Sequence, residues 1–145
     1  MKYKQKVIPS VKTPLAWKTA NPNQLRILVI KHYAKHIQGK KIKNLHLGLE
    51  LCFTGTGKQK STRGSAMYLS KAVAVRILPE LLRVAEYSNY KPRKKTDPSG
   101  LLGYFNFKAK IIIDGKKQSL RIATLFYEKD GKLYYNLEVN KKVLT

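Results

Sequence analysis

The sequence predicts one α+β domain, with N-terminal helices packed on a twisted, mainly antiparallel four-stranded sheet that ends in a three-stranded meander. Three observations predict it. Asp114-Gly115 and Asp130-Gly131 are two-residue hairpin signals between runs rich in β-branched and aromatic residues. Asn21-Pro22 opens an apolar run at helical spacing, Asn as cap and Pro at the first helical position. Residues 44–53 alternate apolar and polar side chains. At 145 residues and 43% hydrophobic content the chain can bury a real core.

In chain order, residues 1–20 carry Lys2, Lys4, Lys6, Lys12 and Lys18 and read as a loose basic N-terminal arm, ahead of a single domain over 21–145. The helix from Pro22 runs to about His36, with Ile27, Ile30, Ala34 and Ile37 on its inward face. Gly39 can stop it. Over 44–53, Leu45, Leu47, Leu49, Leu51 and Phe53 face one way, and Asn44, His46, Glu50 and Cys52 the other, which predicts a half-buried strand. Cys52 is the lone cysteine, so no internal disulfide forms, and its apolar neighbours predict a structural buried thiol.

Thr54–Gly64 is a Gly-rich basic loop, but its glycine spacing departs from the Walker pattern, which excludes a nucleotide triphosphatase. Two short helices follow, at 66–77 and 79–87, divided at Leu78-Pro79, with Leu78, Leu81, Leu82 and Ala85 inward. Residues 88–101, with Lys91, Arg93, Lys94 and Lys95, read as a polar loop. Strands at 103–113, 117–127 and 132–139 close the chain. The first turn pairs Ile111 with Gln118, Ala109 with Leu120 and Phe107 with Ile122. The second pairs Phe126 with Tyr135, Thr124 with Leu137 and Ile122 with Val139. Both registers collect apolar side chains on one face.

Charge narrows the function. Thirty Lys and Arg against eight Asp and Glu give +22. A compact domain so charged repels itself unless a polyanion covers it. Nucleic acid is the commonest such partner, ahead of an acidic protein or an anionic membrane surface. The apolar runs Ile27–Ile30 and Ile111–Ile113 are far too short to span a bilayer, and no apolar segment follows the basic start as a secretory signal would require.

The same registers fix the opposite face of the meander. Tyr104, Asn106, Lys108 and Lys110 point outward from its first strand, Arg121 and Tyr127 from the second, and Tyr134, Asn136 and Glu138 from the third. Lys108 lies opposite Arg121, and Glu138 opposite Ala123. The bland reading is a solvated face with a weak ion pair. The functional reading is that its cations meet phosphates and its rings stack on bases. His32 and His36, at i and i+4, could share a metal, but no further His or Cys supports a site, and they read as a solvated helix face. His46 can serve as a general acid or base. RNA cleavage by the neighbouring 2′-OH needs a proton acceptor, a proton donor and cations for the phosphorane, with no metal or cofactor. His46, Arg121, Glu138, Lys58 and Lys60 are the candidate catalytic residues. Ser61, Arg63, Tyr104, Lys108, Lys110 and Asn136 are the candidate RNA contacts.

Residues 44–140 carry a further pattern. A strand ends in Phe53-Thr54-Gly55, a basic loop leads to the Leu78-Pro79-Glu80-Leu81 helix, and then come the Asp114-Gly115 hairpin and the Gly131-Lys132-Leu133-Tyr134-Tyr135 strand. This resembles the barnase, EndoU, colicin and RelE-like (BECR) nuclease superfamily, nearest to members found in phage-associated proteins and in bacterial polymorphic or contact-dependent inhibition toxins. The resemblance implies a small metal-independent ribonuclease acting on tRNA or other structured RNA. It also implies an acidic immunity protein or antitoxin as partner, action in the cytoplasm, and delivery into a target cell as part of a toxin system. The rival readings are a non-catalytic nucleic-acid-binding module and an accessory domain docking an acidic protein through its basic face.

Overall fold

A computed structural model of the protein describes residues 3–53, 69–96, 100–129 and 132–139. Its centre is β5 (Leu101–Ile113), antiparallel to β6 (Lys116–Lys129), which is antiparallel in turn to β7 (Lys132–Val139). Asp114 and Gly115 adopt φ of 50° and 81°, the left-handed pair that a two-residue hairpin turn needs. That turn sets the register, and Ile111, Ala109 and Phe107 meet Gln118, Leu120 and Ile122 as predicted. The second hairpin pairs Phe126 with Tyr135, Thr124 with Leu137 and Ile122 with Val139, also as predicted.

The class is α+β, but the main sheet has five strands, and the segment 44–53 is not among them. The far edge of β5 takes two others. Residues 103–108 pair antiparallel with β4 (Glu86–Pro92), and Ile112 and Ile113 pair in parallel with β1 (Ser10–Val11). The predicted polar loop at 88–101 therefore begins as an edge strand, and the predicted loose arm is bound. Gln5 clamps Lys110, accepting from its N–H at 2.7 Å and donating to its carbonyl at 2.9 Å. Trp17, in the short helix α1 (Leu15–Lys18), belongs to the core.

Helix α2 (Pro22–His32) starts on the predicted cap. The Asn21 side chain accepts from the Gln24 N–H, and the Gln24 side chain accepts from the Asn21 N–H. It runs on through one π turn, Tyr33–Ile37. Its buried stripe is Leu25, Val29, Tyr33 and Ile37; of the predicted inward face Ile37 is buried, but Ile30 is half-buried, Ala34 is exposed and Ile27 is 54% exposed. Apolar residues nearly ring this helix, so the pattern leaves the inward direction open.

A small second sheet pairs β2 (Lys41–Lys43) with β3 (Glu50–Cys52), where Cys52 is half-buried rather than buried. Residues 44–47, predicted as strand, form a turn built on Asn44. The Asn44 side chain is fully buried and donates to the carbonyls of Leu82 and Ala85, at 2.7 and 3.0 Å. Its Oδ1 accepts from the N–H groups of His46 and Leu47. The acceptors lie at the C-terminal end of α4 (Leu78–Val84), where helix carbonyls lack internal partners.

Two helices, α3 (Leu69–Arg76) and α4, occur as predicted, but they break at Ile77, with Leu78 and Pro79 opening α4, and α4 ends at Val84 rather than 87 because Glu86 begins β4; Leu78, Leu81, Leu82 and Ala85 are buried as predicted. Both helices pack on β5, and α2 packs on α3, in one core that includes Phe107, Ile111, Leu120 and Ile122 of the sheet. Each such side chain contributes roughly 1.5–3 kcal/mol of burial. On the opposite face Lys108, Lys110 and Arg121 are exposed and Ala123 is buried.

Candidate functional site

Strand pairing arranges the polar face in rows. Glu86 on β4 lies beside Lys108 on β5, which lies beside Arg121 on β6. The next row runs from Asn89 through Asn106 and Ala123 to Glu138, and the third from Lys91 through Tyr104 to Leu125 and Asn136. One irregularity makes this possible. The pairing of β4 with β5 shifts between Tyr87 and Asn89, so Ser88 is an extra, bulged residue. The bulge keeps Tyr87 on the apolar side, where its ring meets Phe105 and Phe107, while Glu86, Asn89 and Lys91 all join the polar side.

These rows enclose an open cleft of about 530 Å³, lined by Glu86, Ser88, Asn89, Lys91, Asn106, Lys108, Arg121 and Ala123 together with Tyr87, Phe107 and Ile122. A second hollow of about 290 Å³ adjoins it and shares Glu86, Lys108 and Arg121, adding Gln5, Lys110 and Ser119. The charged row is thus the ridge between two hollows. Lys108, Lys110 and Arg121 are exposed, and the Glu86 carboxylate is steadied by the Gln5 N–H at 2.9 Å. Asn106 donates to Asn89 at 2.8 Å across the two strands. The ridge can hold a phosphate group between its cations, with a carboxylate in the same row.

Of the residues predicted from sequence, Lys108, Lys110 and Arg121 come together here, and Tyr104, half-buried, belongs to the same face. Glu138 and Asn136 take the backbone register positions predicted for them, opposite Ala123 and Leu125. Lys58, Lys60, Ser61 and Arg63 lie outside the described residues. His46 is not among the residues that line the cleft. It sits in the turn after Asn44 instead of on a strand, and its Nδ1 accepts from the Tyr87 N–H at 2.9 Å. Its ring stacks on Tyr3 with centroids 4.5 Å apart. The Tyr3 hydroxyl donates to the Val84 carbonyl, and its pKa is raised, first by burial and then by the Glu86 charge.

His32 is not the solvated residue the spacing predicts. Its ring meets Trp17 edge-on, its Nε2 lies 3.1 Å from the Arg76 carbonyl, and Arg76 covers the Trp17 ring at 5.2 Å. Burial and then the Arg76 charge lower its pKa. His36 is exposed. Among the described residues, no group of three or more His, Cys, Asp or Glu is placed to hold a metal ion, and no helix is long and apolar enough to cross a membrane.

Sequence reasoning missed Glu86, Ser88, Asn89 and Gln5. Glu86 falls inside the helix predicted over 79–87, and the bulge sets Tyr87 and Tyr90 three apart, which hides the period of two. The available signal was the polar composition of 86–95 beside two tyrosines, the look of an edge strand with most side chains in water.

The family described as large polyvalent protein-associated domain 3 matches residues 20–135, and the chain belongs to it. The family is found in polymorphic toxin-like proteins. No curated protein and no solved structure matches the chain.

Proposed function

We propose that this member of the large polyvalent protein-associated domain 3 family is a toxin-type, metal-independent endoribonuclease that takes tRNA or other structured RNA on the polar face of its sheet. One observation carries the reading: the Glu86–Lys108–Arg121 row borders an open cleft in a chain of charge +22. The family's occurrence in toxin-like proteins supports a toxin-related role.

In the proposed reaction Arg121 and Lys108 hold the non-bridging oxygens of the scissile phosphate. A carboxylate takes the 2′-OH proton, the 2′-oxygen bonds to phosphorus, and the bond to the 5′-oxygen breaks as that oxygen takes a proton from water, whose hydroxide recovers the proton held by the carboxyl group. The products are a 2′,3′-cyclic phosphate and a 5′-hydroxyl. Glu86 is the proton acceptor in reach by register, and Glu138, across Ala123, is the second candidate. His46 has no direct part in this reading, because it does not line the cleft and its Nδ1 accepts from the Tyr87 N–H. The reading calls for an acidic immunity protein or antitoxin that covers the same cations, docking fast through electrostatic steering. It acts in the cytoplasm of the cell that receives it.

A second reading, a binding module without turnover, has its own support, since the described lining of the cleft contains one carboxylate and no histidine. Incubating the protein with total RNA and a chelator separates the two. Discrete fragments ending in cyclic phosphate support the enzyme. A gel shift with intact RNA rejects it in favour of the module. An RNA affinity that barely changes with salt removes nucleic acid altogether.

A further inference from the structure

The row next to the charged ridge has a different chemistry. Asn89 and Asn106 face each other across β4 and β5, and the Asn106 amide donates to Asn89 Oδ1 at 2.8 Å. An amide offers two N–H donors and one oxygen acceptor. The single mutual bond uses one donor and one acceptor. It leaves both N–H donors of Asn89, and the second N–H and the oxygen of Asn106, without a protein hydrogen-bond partner among the described residues. The next position in this row is Ala123, whose side chain ends at Cβ and forms a small apolar floor in the cleft. The cations Lys108 and Arg121 border that floor.

Amide donors and an acceptor beside a small alanine, one row from two cations, fit an unpaired nucleobase with its own phosphate. The edge of every base offers an acceptor next to a donor, and Asn reads such edges in pairs. The cleft, at about 530 Å³, is in the size range of small-molecule sites. An acidic peptide would satisfy the cations, and its backbone the amides, but it brings no flat ring to stack in the cleft.

We propose that Asn89, Asn106 and Ala123 form a nucleobase subsite beside the Lys108 and Arg121 phosphate contacts, taking one unstacked base of RNA. The inference rests on the reading of the polar face as the RNA site. It adds that this face senses the base and not the backbone alone. The Ser88 bulge makes the subsite possible, because a regular β4 would turn Asn89 to the apolar side.

The test uses uridine 5′-monophosphate and adenosine 5′-monophosphate against ribose 5-phosphate, which share the phosphate and sugar and differ in the base. Binding is followed by amide chemical shifts of the whole chain at low salt. The nucleotides should bind about tenfold more tightly than ribose 5-phosphate, the size expected of two net hydrogen bonds. In Asn89→Ala/Asn106→Ala, and in each single variant in proportion, that preference should collapse while affinity for ribose 5-phosphate stays. Equal affinity for all three ligands in the unaltered chain, lost in Arg121→Ala, overturns the subsite and leaves the phosphate site standing. A preference that survives both amide substitutions overturns it as well. If none of the three binds, the reading of this face fails, and the subsite with it.

Discussion

Residues 44–53 and residues 103–127 carry the same period-two signal, yet only the second stretch forms long strands. The difference lies in the turns. At 114–115 the residue types demand a tight hairpin, the backbone adopts it, and every alternate residue then meets a partner. At 44–49 the polar residue is an asparagine, and the glycine at 48 stands at φ 73°. The chain folds back on itself, with the Asn44 N–H donating to the Leu49 carbonyl and the Gly48 N–H to the Asn44 carbonyl. The leucines of that stretch alternate without lining one face, and Leu45 is 57% exposed. Alternation therefore tells of a strand only where something fixes the register. The two stretches divide the labour accordingly: 44–53 supports α4 and the start of β4, and 103–127 presents the polar face.

The largest expected effect falls on the supporting stretch. Asn44→Ala removes four side-chain hydrogen bonds in a fully buried place and strands two carbonyls and two N–H groups. Chemical denaturation should show a loss of about 3 kcal/mol. A loss below about 1 kcal/mol would mean that the turn holds without its asparagine, and that the two stretches differ for another reason. His46→Ala should cost about 2 kcal/mol, through the Tyr87 N–H and the Tyr3 ring that it leaves. RNA binding per folded molecule should be unchanged. Lost cleavage at full stability would instead restore His46 as a catalytic group.

Arg121 is the converse case. It is exposed and borders the cleft. Arg121→Ala should lower RNA cleavage at least tenfold, about 1.4 kcal/mol of transition-state stabilisation, and leave the denaturation midpoint nearly unmoved. Equal cleavage by both proteins would detach function from this face. A smaller structural effect belongs to Gly115→Ala, which forces an L side chain to φ 81° and should cost about 1 kcal/mol. A neutral result would show that the strands fix the register unaided by the turn.

What was legible in the sequence follows the same division. Both hairpin registers, the opposition of Lys108 and Arg121, the Asn21 cap and the inward leucines of α4 were readable, because each depends on neighbours close in sequence. The rest depends on distant partners. Glu86 and Asn89 enter the site only because β4 pairs with β5. The burial of Trp17 and the Gln5 clamp arise only once the N-terminal segment runs along β5. No local pattern announces either, since an edge strand keeps polar side chains on both faces and a parallel strand of two residues has no period to detect.

The hairpin turn also anchors that N-terminal segment, and this sets the smallest and most specific expectation. One Asp114 carboxylate oxygen accepts from the Thr13 N–H and the other from its hydroxyl, both at 2.8 Å. Those two bonds favour the ionised carboxylate and hold its pKa below the ordinary 3.8, with a small added push from Lys18 and Lys12. A depressed carboxylate pKa stabilises the fold above the unfolded-state value, and the contribution is lost as pH falls through the folded value. Thr13→Val removes the hydroxyl bond and keeps the backbone one. At pH 6 it should lower Tm, and the Asp114 carboxyl carbon should titrate at higher pH than in the unaltered chain. As the pH falls from about 4, the unfolded-state value, through the lower folded value, the carboxylate gains its proton in both proteins and the Tm difference should shrink. A difference that stays constant down to the acid limit would mean that Thr13 acts by packing alone, and that the hairpin turn does not hold the N-terminal segment through its charge.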